Sequence, residues 1–172
     1  MIERSAQEYA ALRATIRERG TARVYIFALG LVAWAALALA SVVLVVPPVT
    51  TVIPVVVLAA TFEAVYGLHT GVERIGRYLL VFHDDRWEQA AGVFGHRPRA
   101  PQADPLFAVP FLIAALVNLV PLLSTTPIVQ ELVIVGVAHG VFGARVLQAR
   151  AAAGRQRALD TERFRQLRQE MP

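Results

Sequence analysis

Cysteine is absent from the 172-residue sequence. Disulfide bonds, thiolate metal sites and thiol nucleophiles are therefore excluded. Lysine is absent as well, so all 17 basic side chains are arginines. We interpret this bias as codon usage in a GC-rich bacterial genome and give it no mechanistic role.

Charged side chains are missing from a long stretch near the N-terminus. Residues 24–46 include no aspartate, glutamate or arginine, and they outnumber the ~20 residues that a helix needs to span a bilayer core. The hydrophobic fraction of the whole chain is 56%, above the roughly 45–50% of soluble domains. A soluble protein of this size could hardly bury such a helix on all sides. The sequence therefore predicts an integral membrane protein.

The apolar residues fall into four segments separated by helix breakers. Adjacent prolines at 47 and 48 end the first segment, because proline has no amide hydrogen with which to continue a helix. Thr126 and Pro127 fit the N-cap and the first helical position of the last segment. We predict an all-α integral membrane protein in which four transmembrane helices form two hairpins of a bundle. The predicted spans are about 24–46, 52–82 with a cytoplasmic extension, 106–123 and 127–146.

The distribution of arginine orients these helices. The breaks at 47–51 and 122–127 contain no charged residue, whereas the N-terminal segment, the middle loop and the tail carry the arginines. Membrane proteins keep an excess of positive charge on the cytoplasmic side. We therefore predict a multi-pass protein of the bacterial cytoplasmic (inner) membrane with both termini in the cytoplasm.

Three segments are predicted to be cytoplasmic, namely 1–23, 84–105 and 147–172. Residues 1–23 place apolar side chains on one helical stripe, which suits either an amphipathic helix on the headgroups or a partner-binding helix. The loop 84–105 matches no metal-binding spacing. The tail is predicted to be a basic helix attracted to anionic lipid headgroups, and nucleic-acid binding is not expected because aromatic stacking residues do not accompany the charge. The arginines predicted to contact lipid headgroups are Arg74, Arg77, Arg145, Arg150, Arg155 and Arg157.

The second span carries a polar stripe before its apolar character ends. At 100° per residue, Tyr66 and Thr70 fall on the same face as Glu63. Counted from the start of its helix, Glu63 lies ~18 Å down a hydrocarbon core ~30 Å thick. His139 lies equally far from Pro127 on the fourth span. The matching depths predict an intramembrane polar cluster in which Glu63 contacts His139.

Other polar residues lie nearer to the two membrane surfaces. His69 and Glu73 are one helical turn apart and are predicted to pair at the inner interface. Asn118, Gln130 and Glu131 are predicted to lie near the outer face. We expect Asn118 to make a hydrogen bond between helices, and Glu131 to lie within reach of water.

Small residues recur at helical spacing on the second and fourth spans. Two GxxxG arrangements occur, and a further glycine extends the second of them. Such ridges let helix backbones approach closely in lipid, so helix packing is the expected role. The same positions also leave room for a flat cofactor such as haem. The glycines are Gly67, Gly71, Gly136, Gly140 and Gly143.

No enzyme site can be assembled from these residues. The sequence provides no nucleophile with a base and an orienting group, and no carboxylate cluster suited to a metal. We therefore predict a protein that is not an enzyme and that has no cofactor. A structural or accessory subunit of a membrane assembly is the first hypothesis, either as a homo-oligomer or in a larger complex.

Two alternatives remain open at this point. The first is a small proton-coupled transporter or channel that uses Glu63 and His139, because both side chains can change protonation state. The second is a redox subunit that binds haem or quinone, with His139 or His69 as an axial ligand. A single haem could not readily join both histidines within one chain, since they differ in depth by ~9 Å.

Overall fold

The structure is a computed structural model, and it describes residues 2–44, 47–83, 85–87, 89–90, 106–123 and 125–171. Within these ranges all regular secondary structure is helical. A short 3-10 helix, Pro48–Thr51, leads directly into the second long helix. The α-helices are α1 (Ile2–Val43), α2 (Val52–Phe82), α3 (Ala108–Val117), α4 (Val120–Leu123) and α5 (Val129–Glu170).

Three of these helices are long and apolar enough to cross a membrane. They are contained in Ser5–Val43, Pro48–Phe82 and Val129–Glu170. The predicted third span, 106–123, is instead a shorter apolar helix, Ala108–Leu122, with a turn at residues 118–119. Pro121 explains the interruption, because its ring displaces the carbonyl of the preceding turn and it donates no hydrogen bond. The predicted all-helical class is confirmed over the described residues, and three helices suit a membrane protein by length and composition.

Helices α1 and α5 run through the boundaries predicted between membrane and cytoplasmic segments. Each is 42 residues long, which corresponds to ~63 Å. The predicted limits at residues 23 and 146 therefore fall inside continuous helices, and residues 1–23 do not form a helix separate from the first span. Neither boundary contains a proline, so the helical hydrogen bonds continue while only the polarity of the side chains changes.

Helix α2 lies between α1 and α5. Contacts between α1 and α2 include Arg23 with His69 and Glu8 with Tyr78, so these two helices are antiparallel. Every side-chain bond between α2 and α5 joins residues 82 to 87 positions apart in the chain, which makes this pair parallel. The N-terminus of α1 and the C-termini of α2 and α5 therefore lie at the same end of the bundle.

Helix α3 packs across one side of the long helices and completes an aromatic core. Phe111 of α3 meets Phe62 of α2 edge to face at 5.3 Å between ring centroids, and Phe142 of α5 lies 6.4 Å from Phe111. Phe62 and Phe111 are fully buried. Leu58 and Val65, one turn to either side of Phe62, are buried as well and extend this core along α2.

Gly30 is a point of close approach between α1 and α2. A Cβ atom built on Gly30 would lie 2.2 Å from Cγ2 of Thr61 on α2. The Thr61 hydroxyl donates to the carbonyl of Val57 at 2.7 Å and so leaves no polar atom unsatisfied. The absence of a side chain at position 30 therefore sets the distance between the two helices.

The bundle divides into two parts along its length. We call the part level with residues 24–44 of α1 the apolar band, because this stretch of α1 is uncharged and its outward side chains are exposed. The Arg23–His69 contact marks its lower border. Beyond this border, residues 2–22 of α1, 70–82 of α2 and 153–170 of α5 form a second part, which we call the helical extension.

Candidate functional site

Glu63 and Arg145 form an ion pair between α2 and α5 inside the apolar band. Arg145 Nε lies 2.7 Å from Oε1 of Glu63, and Arg145 Nη2 lies 2.9 Å from Oε2. This bidentate geometry is the strongest form of such a pair. The same guanidinium lies over the ring of Tyr66, 5.0 Å from its centroid. The polar stripe predicted on α2 therefore faces α5 at Glu63 and Tyr66.

The predicted contact between Glu63 and His139 is not made within the chain. His139 Nε2 instead lies 3.2 Å from Nδ2 of Asn118, and this amide nitrogen donates to the carbonyl oxygen of Thr51 at 2.7 Å. His139 is thus level with the beginning of α2, because α5 begins above that level. The sequence-based depth of His139 was counted from the first residue of its helix and was wrong by about two helical turns. Arg145, and not His139, lies at the level of Glu63.

Asn118 connects three segments through one buried amide group. Its two N–H bonds are used by Thr51 and by His139, which requires that Nε2 of His139 be an acceptor. Nδ1 of His139 then donates to the carbonyl of Val135 at 2.8 Å. Asn118 therefore makes the predicted kind of interhelical hydrogen bond, and both ring nitrogens of His139 are engaged.

His69 is buried, with 3% of its surface exposed, where α1 meets α2. Arg23 Nη1 lies 3.1 Å from Nδ1 of His69. Since arginine only donates, Nδ1 accepts this bond and the imidazole is neutral in this arrangement. The Glu73 carboxylate, which was predicted to pair with His69, contacts Arg77 at 3.1 Å and Arg157 at 3.3 Å.

Arg77 and Asp160 form a second ion pair in the interior of the helical extension. Arg77 Nη1 lies 2.7 Å from Oδ2 of Asp160, and only 9% of either side chain is exposed. Arg74 approaches the same oxygen at 3.7 Å and remains exposed. The prediction that Arg77 contacts lipid headgroups is therefore wrong: the parallel packing of α5 on α2 covers its side chain.

The remaining predicted polar residues have local contacts or face outward. Glu131 accepts a hydrogen bond at 3.2 Å from the backbone N–H of Ile128, and so caps the N-terminus of α5. Thr70 donates to the carbonyl of Gly67 at 3.1 Å. The others, Gln130, Arg150 and Arg155, are exposed.

The predicted packing glycines do not bring helices together within the chain. A Cβ atom on Gly67, Gly136 or Gly140 would have no atom within 4 Å. Gly143 faces Leu112 at an ordinary distance of 3.9 Å, and Gly71 leaves room for the end of the Arg19 side chain. Gly67, Gly136 and Gly140 therefore do not mediate close helix packing within the chain.

The far end of the helical extension is held by polar and aromatic contacts. Tyr9 and Arg13 of α1 both reach the carboxylate of Asp85, at 3.0 and 2.5 Å. Tyr78 of α2 donates to Glu8 of α1 at 2.8 Å. Burial, together with the neighbouring Glu8 carboxylate, raises the pKa of Tyr78 above its usual value, so the phenol remains a donor. Phe164 of α5 and Phe82 of α2 flank the Tyr78 ring.

No metal-binding cluster occurs in the part of the chain that the structure describes. A shallow, open groove of about 410 Å³ lies on the helical extension and is lined by Ala10, Arg13, Ile16, Arg17 and Trp87. The described residues contain no group of three or more histidine, aspartate or glutamate side chains that could hold a metal ion. The chemically distinctive features are thus the paired charges between helices.

Sequence reasoning missed the partners in these pairs. Arg145 was assigned to the lipid headgroups, Asp160 lay in the predicted basic tail, and Arg23 ended the predicted amphipathic helix. The signal that identifies Arg145 and Asp160 is the similar separation, 82 to 87 positions, between paired residues of α2 and α5. That separation follows from the parallel packing of α2 and α5, which is a tertiary property and has no local sequence pattern.

Comparison with known proteins adds no family to this description. The chain matches no protein-family model, no curated protein and no solved structure.

Proposed function

We propose that the protein is a non-enzymatic structural or accessory subunit of a membrane assembly. In this proposal the chain crosses a bacterial cytoplasmic membrane four times, with both termini in the cytoplasm. The apolar band fixes the subunit in the bilayer. The helical extension projects from the membrane and presents a preformed surface to other components of the assembly.

The length of the helices, and the way in which they are tied together, carry the proposal. Helices α1 and α5 are ~63 Å long, about twice the thickness of a bilayer core. Their polar halves do not separate beyond the apolar band, because the buried Arg77–Asp160 pair joins α5 to α2. Tyr9 and Arg13 similarly join α1 to the residues that follow α2. A membrane anchor alone would not need such an extension.

Four crossings are supported by the parallel packing of α2 and α5. The C-terminus of α2 and the N-terminus of α5 lie at opposite ends of the apolar band, so the intervening chain has to cross it. Helix α3, which packs against Phe62 and Phe142 in the core, provides this crossing. The arginines lie at the end that contains both termini, which supports the cytoplasmic orientation.

The contacts of the polar residues favour a structural role over transport or redox chemistry. Proton relay between Glu63 and His139 would need contact or a water path, but Glu63 pairs with Arg145 and His139 bonds to Asn118. Both nitrogens of His139 are engaged, so ligation of a haem iron would require one of these bonds to break. These side chains instead hold helices to one another.

Crosslinking from the helical extension tests the proposal. A photoreactive amino acid at the exposed position Arg155 is expected to capture partner chains in intact native membranes. The matched probe at Phe62, a fully buried position that already holds an aromatic side chain, should capture only the chain itself. Absence of intermolecular products from several exposed positions of the extension would contradict the proposal.

A further inference from the structure

The Glu63–Arg145 ion pair is only partly covered by the chain that contains it. The Glu63 side chain is 48% exposed and the Arg145 side chain is 36% exposed. Glu63 lies six positions before His69 on α2, and is therefore ~9 Å inside the lower border of the apolar band. It lies ~18 Å from Thr51 at the upper border. Both charged groups thus face outward within the apolar band.

The surface around this pair is apolar and consists of small side chains on α2. Ala60 and Gly67, one turn to either side of Glu63, are both exposed. On α5, Val141 precedes Arg145 by one turn and is 65% exposed. Hydrocarbon offers neither hydrogen bonds nor charge to an ion pair, and ionised side chains within membranes accordingly face protein or water. This surface of α2 and α5 therefore requires a cover that is itself charged at the level of Glu63.

We propose that the cover is a second copy of the chain, related by a two-fold axis along the membrane normal. Glu63 of each copy then pairs with Arg145 of the other, in addition to the pair within each chain. The inference rests on the proposed function as a subunit of a membrane assembly, in which the second copy is the partner of the chain. The dimer interface then contains two carboxylates and two guanidinium groups, so the net charge of this cluster is zero.

Charge complementarity identifies a second copy as the occupant. A two-fold interface uses the same surface on both copies: if residue i of one copy contacts residue j of the other, then j of the first contacts i of the second. The surface therefore has to be complementary to itself. Glu63 and Arg145 carry opposite charges and lie at the same level, as their 2.7 Å contact shows. Two copies with the same orientation in the bilayer bring these residues together without any vertical shift.

The small side chains on α2 allow the close approach that such an interface needs. A Cβ atom on Gly67 would have no neighbour within 4 Å in a single chain, so the backbone of α2 is open to a partner there. Glycine and alanine at a helix surface let helices pack closely in lipid. In the proposed dimer, Gly67 therefore contacts the second copy of the chain.

Cysteine crosslinking of the full-length protein in lipid bilayers is the first test. The chain has no native cysteine, so Gly67→Cys introduces a single thiol beside the proposed axis. We expect oxidation to give a disulfide-linked dimer at protein concentrations at which Gly140→Cys gives none. Gly140 is also exposed, but lies about 140° around α5 from Arg145. Equal crosslinking at both positions, or none at Gly67→Cys, would overturn the proposed interface.

Charge substitutions supply a test that does not depend on an added thiol. We expect Glu63→Gln to raise the dimer dissociation constant in lipid nanodiscs about tenfold or more. The double exchange of Glu63→Arg with Arg145→Glu recreates every pair and should restore the dimer. Circular dichroism verifies that each variant remains helical. A dimer of unchanged stability in Glu63→Gln, or no recovery in a folded double variant, would exclude the ion-pair interface.

The outcomes separate this inference from the function on which it rests. A wild-type chain that is monomeric in bilayers at physiological density, but crosslinks to a different protein through Gly67→Cys, would overturn the homodimer. That result would leave the role as an assembly subunit intact. A chain with neither a second copy nor any other partner would contradict both proposals.

Discussion

Arg77 and Asp160 lie 83 positions apart in the sequence, and their side chains meet at 2.7 Å in the interior of the helical extension. The pair is more buried than the Glu63–Arg145 pair in the apolar band. The two pairs hold α2 and α5 in one parallel register over four turns of α2. The helical extension is therefore a continuation of the membrane bundle, and the tail has no separate fold.

Replacing Asp160 should weaken the helical extension. In Asp160→Ala the buried guanidinium of Arg77 keeps only the Glu73 carboxylate as a partner, and loss of one member of a buried pair costs about 3–5 kcal/mol. We expect a lower unfolding temperature in lipid nanodiscs and faster amide hydrogen exchange in residues 153–170. The control is Glu162→Ala, which removes an exposed carboxylate two positions away and should change neither quantity. Equal exchange rates in Asp160→Ala and the wild type would contradict the assignment of this pair.

Alanine substitutions at two glycines of α1 should have opposite effects. At Gly30 the new Cβ atom would overlap Cγ2 of Thr61, and such overpacking costs typically about 1–3 kcal/mol. At Gly20 the new Cβ atom would have no neighbour within 4 Å, so the helix gains roughly 0.5–1 kcal/mol from the better propensity of alanine. Thermal unfolding of Gly30→Ala and Gly20→Ala under the same conditions measures both effects. A stabilised Gly30→Ala protein would show that α1 does not approach α2 there.

Removal of the Asn118 amide should loosen the end of the bundle that lies opposite the helical extension. Asn118→Leu leaves the Thr51 carbonyl and Nε2 of His139 without their shared donor. Hydrogen bonds between membrane helices contribute about 0.6–2 kcal/mol, so we expect a modest loss of stability and a shift of the His139 ring signals in NMR spectra. Gln130→Leu serves as the control, because Gln130 is exposed near the same end. Unchanged His139 signals in Asn118→Leu would contradict the contact.

Leucine at position 23 tests the contact at the lower border of the apolar band. Arg23→Leu removes the donor to Nδ1 of the buried His69 imidazole, and an unsatisfied buried acceptor costs about 1–3 kcal/mol. We expect a lower unfolding temperature and faster exchange of the His69 backbone amide. Arg17→Leu, at an exposed position on the same helix, should retain the wild-type values. The contact would be disproved by identical behaviour of the two variants.

The local sequence pattern was sufficient to predict that the chain is helical. It did not predict how the helices are aligned along one another. The uncharged residues 24–46 and the prolines at 47 and 48 predict α1 and its end, because both signals act within a few residues. The depth of His139 depends on where α5 begins relative to α2, and the burial of Arg77 depends on which face of α5 covers it. Neither is encoded in the segment that contains the residue. Glu63 was predicted to have its partner on another helix, and it does, but that partner is Arg145 and not His139.

The central claim is that the chain works as part of a membrane assembly. Native mass spectrometry of the full chain, extracted from its own membrane with surrounding lipid, tests this claim most directly. The account predicts particles whose protein mass exceeds the 18.8 kDa of a single chain, and two copies per particle if Glu63 and Arg145 form the proposed two-fold interface. Particles that contain one chain and no other protein would contradict the account.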